Sequence, residues 1–124
     1  MDNITDIIEE KGEGTCRVKN GKVYLMYKSV DDNETQSTTV IAEKNSVQIK
    51  RNGSVKSDIK YIPAEKTAFR YYMPYGIMDM EVITDRIENE LSEDGGKLRI
   101  VYILTVQGGR YYNDMEITVT KRKE

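Results

Sequence analysis

The chain has 124 residues and a formal net charge of −2, and 32% of its residues are charged. This length fits one domain with its own hydrophobic core, so we predict a single domain over residues 1–124. No apolar and aromatic run is longer than that of residues 100–104, which is far shorter than the about 20 residues that a membrane-spanning helix needs. The composition therefore excludes such a helix, and we expect no membrane partner.

The start of the chain and its cysteine content indicate a cytoplasmic protein. The N-terminus is acidic and has neither the basic start nor the apolar stretch of a secretory signal peptide. Cys16 is the only cysteine, so an internal disulfide bond is excluded. A reducing, cytoplasmic setting follows from these two observations.

Short runs of alternating apolar and polar residues, separated by turn sequences, predict an all-β fold. Asn20-Gly21 is the strongest hairpin signal, and Asp31-Asp32-Asn33 and Asn52-Gly53 follow at short spacing. Hairpin-connected strands favour an antiparallel up-and-down β-barrel of about eight strands, because closure removes exposed sheet edges. Residues 2–10 are compatible with one short helix or with a strand.

The chain lacks the residues that most catalytic and metal sites need. It has no histidine, which excludes histidine-based triads and most catalytic zinc sites. Cys16 would have no imidazole base to activate it, so a small structural residue is the favoured interpretation. The acidic residues 31–34 lack the spacing of an EF-hand loop. We predict no catalytic residue, no metal and no cofactor, and we do not favour an enzyme.

Arg51 is the most informative polar residue of the predicted strands. It has the same strand parity as Val47 and Ile49, which directs it towards the core face, where it could hold an acidic ligand. The alternative is that the strand ends before Asn52-Gly53 and that Arg51 reaches water. Tyrosines and methionines could line a ligand pocket with it, although ordinary core packing is the alternative for each. These candidates are Tyr61, Tyr72, Tyr75, Met78, Met80 and Tyr102.

Positive charge is concentrated in the middle of the chain. Residues 44–70 contain seven basic and two acidic residues. We interpret this segment as solvated strand faces, and a nucleic-acid partner is not favoured. A nucleic-acid site would require the sheet to gather these charges on one face.

Several segments together resemble a known family. Residues 47–53 (VQIKRNG), residues 72–76 (YMPYG) with the alternating strand that follows, and residues 93–96 (EDGG) resemble the YwiB-like bacterial β-barrel family. This resemblance covers about residues 14–119. It implies a domain of unknown function in the calycin superfamily, a lipocalin-like shape, a bacterial cytoplasmic origin and no assigned activity.

Two departures from the family pattern concern the turn and the N-terminus. Members usually carry threonine where this chain has Met73, and they tend to begin with an extra N-terminal strand, for which only residues 2–10 are available here. An edge left open would favour pairing with a second copy.

Two functions therefore remain open for the sequence. The first is the binding of a small apolar or acidic ligand in the barrel, through Arg51 and the tyrosines and methionines named with it. The second is a non-enzymatic interaction module that self-associates through an open sheet edge, as a homodimer.

We predict structural turns at Gly53, Pro74 and Gly76, with backbone conformations at both glycines that a side chain resists. Replacement of Gly76 by valine (Gly76→Val) is then expected to lower the free energy of unfolding by roughly 1–3 kcal/mol. Thermal melting measures the change, and an unchanged midpoint would show that the turn is not strained.

Overall fold

The structure, a computed structural model, describes residues 5–6, 13–31 and 34–120. Within these residues the chain forms ten β-strands. Nothing helical in this described part has the length and apolar character that a membrane crossing requires. The strands are β1 (Thr5–Asp6), β2 (Glu13–Lys19), β3 (Lys22–Asp31), β4 (Glu34–Ala42), β5 (Val47–Asn52), β6 (Ser57–Tyr61), β7 (Lys66–Met73), β8 (Gly76–Asn89), β9 (Gly95–Val106) and β10 (Gly109–Thr120).

The ten strands form two five-stranded sheets. One has the order β2-β3-β4-β5-β6, and the other has the order β1-β10-β9-β8-β7; we call them the β2–β6 sheet and the β7–β10 sheet. All neighbouring pairs among β2 to β10 are antiparallel, whereas β1 pairs with β10 in parallel. The predicted all-β, antiparallel fold is confirmed. The structure has ten strands where about eight were predicted, and β1 fulfils the strand alternative for the described part of residues 2–10.

Main-chain hydrogen bonds join the two sheets at the corner between β6 and β7. The amide nitrogen of Lys56 donates to the carbonyl of Tyr72 at 2.9 Å, and the amide nitrogen of Tyr72 donates back to Lys56 at the same distance. The amide nitrogen of Ala64 also donates to the carbonyl of Thr84 at 2.8 Å. These bonds fix the position of one sheet relative to the other.

The hydrophobic core lies between the inward faces of the two sheets. Val40 and Ile49 from one sheet and Val82, Leu98 and Ile100 from the other are almost fully buried. Burial of each such side chain contributes about 1.5–3 kcal/mol to folding, so these alternating residues decide which face of each strand points inward.

One extra residue interrupts the regular alternation of β8. The pairing of β8 with β9 shifts between Thr84 and Arg86, so that Asp85 forms a β-bulge. Val82 and Thr84 are buried before the bulge, and Ile87 packs against the core after it. The strand therefore changes from even-numbered to odd-numbered inward residues.

The turns agree with the sequence prediction in place but not always in conformation. Asn20 and Gly21 have φ angles of 53° and 77°, as the two central residues of a type I′ hairpin require. Pro74 begins the two-residue turn that closes the pairing of Met73 with Gly76. Of the other predicted features, Asp32, Asn33 and most of residues 2–10 lie outside the described residues.

The predicted strain at Gly76 is wrong. This glycine begins β8 without a positive φ, and a Cβ atom added there would meet no atom within 4 Å. Gly53 also lacks a positive φ, but a Cβ atom there would lie 2.7 Å from the carbonyl oxygen of Thr35. The backbone constraint is instead strong at Gly96, which has a φ of 131° and whose added Cβ would overlap the carbonyl oxygen of Glu90.

We therefore expect Gly96→Ala to lower the free energy of unfolding by about 3 kcal/mol, because the added methyl group meets backbone and the φ angle is one that side chains disfavour. Gly76→Ala is the matched control and should change stability by less than about 0.5 kcal/mol. Urea unfolding of both variants measures the difference, and equal losses would contradict the assignment.

Candidate functional site

A row of polar side chains crosses the inward face of the β2–β6 sheet. Thr38 on β4 pairs with Arg51 on β5, and Arg51 pairs with Ser57 on β6. Thr38 and Ser57 are buried, and Arg51 is half-buried. Because β5 continues to Asn52, Arg51 keeps the parity of Ile49, and the alternative in which the strand ends before it does not apply. The row places a cation between two buried hydroxyl groups.

A second polar row lies on the inward face of the β7–β10 sheet. Thr84 on β8 pairs with Tyr102 on β9, and Tyr102 pairs with Asn113 on β10. All three side chains are buried. The side-chain amide of Asn113 donates to the carbonyl oxygen of Tyr111 at 3.2 Å, which anchors one end of the row.

Tyr61 connects the two rows. Its ring lies 5.0 Å from that of Tyr102, centroid to centroid, and the two planes are tilted by 60°. Burial raises the pKa of Tyr61 well above its ordinary value, and a hydrogen bond with Tyr102 raises it further, while the positive charge of Arg51 acts in the opposite direction. The phenol therefore stays protonated and can donate a hydrogen bond between the sheets.

We call the residues that join the two rows the inner polar cluster; they are Thr38, Arg51, Ser57, Tyr61, Thr84 and Tyr102. Among the described residues, the hydroxyl oxygens of Thr38, Ser57 and Thr84 are buried and have no hydrogen-bond partner. An unsatisfied buried hydroxyl group costs about 1–3 kcal/mol. Three such groups in one cluster indicate a place that can accept polar atoms of a bound molecule.

Comparison with known proteins identifies the family. The family model described as "Domain of unknown function (DUF1934)" matches residues 1–119. The chain belongs to this family. The "Uncharacterized beta-barrel protein YwiB" of Bacillus subtilis (strain 168) is 30% identical over 105 residues, which cover 85% of this chain and 74% of that protein.

A solved structure shows the same relationship in three dimensions. The crystal structure of YwiB protein from Bacillus subtilis superposes with a TM-score of 0.69 at 30% identity, covering 85% of this chain and 72% of that one. The resemblance to a YwiB-like bacterial β-barrel family is confirmed. Neither the description of the family nor that of YwiB names an activity.

The structure brings together some of the sequence-predicted pocket residues and separates others. Arg51, Tyr61 and Tyr102 meet in the inner polar cluster. Met78 and Met80 lie on the inward parity of β8, where Met80 packs against the core.

The expected pocket position of Tyr72 and Tyr75 is wrong. Tyr72 pairs with Ile77 on the outer face, and Tyr75 lies in the turn with 86% of its side chain exposed. Because neighbouring residues of a strand face opposite sides, the inward position of Tyr71 forces Tyr72 outwards. Tyr71 packs against the core in its place.

Thr38, Ser57 and Thr84 could not be recognised as site residues from the sequence. Each is a small hydroxyl residue in a strand, and such residues are equally common on solvent faces. Only the register between β4, β5 and β6 shows that two of them flank Arg51. Knowledge of strand pairing would have been the one way to find them.

A separate groove lies outside the inner polar cluster, over β7, β8 and β9. It has a volume of about 470 Å³ and is open to solvent. Arg70 and Asp79 in its wall form an exposed ion pair with 3.2 Å between Nε and Oδ1. Its open shape and its internally paired charges make this groove a weaker candidate than the inner polar cluster. Its lining residues are Ala68, Phe69, Arg70, Asp79, Met80, Glu81, Thr105 and Gln107.

Cys16 is held in a state that does not favour nucleophilic chemistry. Burial raises the pKa of its thiol, and the negative charge of Glu93 adds to this effect. The Sγ atom lies 3.5 Å from the carbonyl oxygen of Ser92, to which the thiol donates. Within the described residues, moreover, acidic and cysteine side chains form no group of three or more that could hold a metal ion.

The raised pKa of Tyr61 predicts a loss of stability in alkali. Its contribution is present below the ordinary tyrosine pKa of about 10 and is lost as the pH rises above that value, because the unfolded chain releases this proton first. Unfolding in urea at about pH 9 and about pH 11 should show a smaller pH-dependent loss for Tyr61→Phe than for the unchanged protein. Tyr75→Phe, at the exposed turn, should keep the full loss, and an identical slope for all three proteins would contradict the burial of the Tyr61 phenol.

Proposed function

We propose that the protein binds a small apolar molecule with an acidic head group between its two sheets, and that Arg51 holds the acid. The observation that carries this proposal is the placement of Arg51 between the buried, unpartnered hydroxyl groups of Thr38 and Ser57. Side chains paired directly across antiparallel strands have Cβ atoms about 5 Å apart, so all three can reach one small group.

The chemistry of the three side chains matches a carboxylate. The guanidinium group offers several N–H donors in a planar fork that suits two carboxylate oxygens. The hydroxyl groups of Thr38 and Ser57 can donate to the same oxygens, which would satisfy their hydrogen-bonding capacity. Because the site is partly withdrawn from water, such charge-assisted hydrogen bonds are stronger there than at the surface.

The surroundings of Arg51 suit an apolar body attached to that head. Ile49 precedes Arg51 on the same face of β5, and Ile59 lies opposite Ile49 on β6. From the facing sheet, Tyr102 contributes its ring, which lies 5.0 Å from that of Tyr61. The ligand would therefore be amphiphilic, with the acid at Arg51 and the apolar part along these side chains.

The proposed activity is binding rather than catalysis, without a cofactor, in the cytoplasm. The absence of histidine from the sequence and the raised pKa of the Cys16 thiol support this choice. The single cysteine supports the reducing compartment.

The test compares two probes that differ only in the head group, decanoate and decanol, by isothermal titration calorimetry. The unchanged protein should bind decanoate about tenfold more tightly, because a hydrogen bond to a charged group contributes roughly 1.5–3 kcal/mol. Arg51→Gln should remove this preference and leave the affinity for decanol unchanged. Arg110→Gln, an exposed arginine on β10, is the matched control and should keep the preference.

Two results would contradict the proposal: equal affinities of the unchanged protein for decanoate and decanol, and a preference that survives in Arg51→Gln. Native mass spectrometry of protein purified gently from its own host provides an independent readout. A co-purifying acidic molecule that is lost in Arg51→Gln would support the proposal and identify the ligand.

Self-association is the second candidate, and the edge position of β2 favours it. Among the described strands β2 pairs with β3 alone, and an exposed strand edge can pair with a second copy. Sedimentation velocity should then show a dimer whose proportion rises with protein concentration. Val18→Pro on β2 should reduce it, because Val18 occupies a non-hydrogen-bonded pair with Val23, so its backbone N–H points to the open edge and proline removes that donor. A monomer at every concentration would exclude this candidate.

A further inference from the structure

The outer face of the β2–β6 sheet carries an excess of positive charge. Outward side chains on its strands, where the structure describes them, comprise six cations and one carboxylate, Asp58. We call this surface the basic face. Its cations are Arg17, Lys19, Lys22, Lys28, Lys50 and Lys60. The sheet thus gathers two of the lysines of residues 44–70 with four cations from β2 and β3.

Among the side chains that the structure describes, one carboxylate forms an ion pair with a cation of the basic face. The Nζ atom of Lys22 lies 3.7 Å from Oε1 of Glu43. No other ion pair of the basic face is found between described side chains. Asp58 stands opposite Lys50 in the register but accepts a hydrogen bond from Gln48 at 2.7 Å instead. The positive charge is therefore available to an external anion.

The outer face of the β7–β10 sheet provides the contrast. Lys66 pairs with Glu81 at 3.2 Å. Arg99 forms two hydrogen bonds with the carboxylate of Asp114, at 2.8 and 2.6 Å. Cations such as Lys66 and Arg99 are thus matched by carboxylates of the same face, which distinguishes that face from the basic face.

An uncharged strip with apolar and aromatic side chains runs between the cations of the basic face. Tyr24 pairs with Ile41, and Met26 pairs with Thr39 across the same two strands, β3 and β4. Met26 is 52% exposed. Arg17 lies on one side of this strip, and the lysines of β5 and β6 lie on the other.

We propose that the basic face binds single-stranded nucleic acid, with bases on the Tyr24–Met26 strip and phosphates at the flanking cations. Aromatic stacking surfaces between cations are the arrangement that single-strand-binding sheets use. A duplex would hide the base faces that Tyr24 can contact, so the strip favours a single strand. Five strands at a spacing of about 4.8 Å give a face about 19 Å wide, which accommodates several nucleotides.

This proposal goes beyond the binding of a small ligand and uses the opposite face of the same sheet. Since the whole protein has a formal net charge of −2, general attraction to polyanions does not explain such binding. The local field of the basic face has to provide it, and the affinity must fall steeply with salt.

The experiment measures fluorescence anisotropy of a labelled oligothymidylate of about 15 nucleotides in a salt series, a length within reported site sizes. Lys50→Gln/Lys60→Gln should weaken binding about tenfold at low salt and make the slope of log affinity against log salt shallower by up to about 1.4, or roughly 0.7 for each lost phosphate contact. Lys66→Gln/Lys97→Gln, two lysines of the other outer face, changes the net charge equally and should leave both quantities unchanged. Circular dichroism and the melting temperature establish that each variant is folded.

A second pair of variants tests the stacking contact. Tyr24→Leu should weaken oligothymidylate binding about tenfold, because a base–aromatic stack contributes roughly 1–3 kcal/mol. Tyr112→Leu, an exposed tyrosine on β10, is the control and should have no effect.

Four outcomes would overturn the proposal. They are no salt-dependent binding by the unchanged protein, equal losses in the two lysine pairs, no effect of Tyr24→Leu, and binding to anionic phosphatidylserine vesicles in place of the oligonucleotide. The last result would assign the basic face to a membrane surface.

Discussion

Strand geometry requires neighbouring side chains to point to opposite faces, and the arrangement of this protein depends on that constraint. Val40 and Ile49 fix which face of the β2–β6 sheet is buried. Once they point inward, Arg51 must follow them, and Lys50 must point to solvent. A slip of one residue in the register would exchange the two faces, so the same apolar residues that form the core also place every charge.

The sequence predicted the class of fold and part of the site because both follow from this alternation. The alternation of inward and outward residues could be recognised in the sequence around Arg51 and Tyr102, and turn residues such as Asn20-Gly21 marked the ends of strands. Strand pairing was not readable, because it depends on contacts between residues far apart in the chain. This is why Thr38 and Ser57 were missed, and why the inward choice between Tyr71 and Tyr72 was made wrongly.

The interior combines features that oppose each other in energy. Buried hydroxyl groups without partners weaken the folded state, whereas the apolar side chains around them stabilise it. Tyr61 combines both features, since its ring packs against Tyr102 and its hydroxyl group belongs to the inner polar cluster. The interior therefore keeps groups that can bind a polar molecule, and the free energy of unfolding is lower as a result, as at functional sites of other proteins.

The β-bulge at Asp85 divides β8 into two parts whose inward-facing residues alternate out of step with each other. Before the bulge the even-numbered residues face inward, and after it the odd-numbered residues do. This extra residue lets Thr84 and Ile87 occupy the same face although they are three positions apart. The length of the chain at this point is therefore as important as its composition. An insertion or deletion of one residue here would turn outward residues after the bulge, such as Glu88, towards the core, so the number of residues at this point is constrained more tightly than their identity.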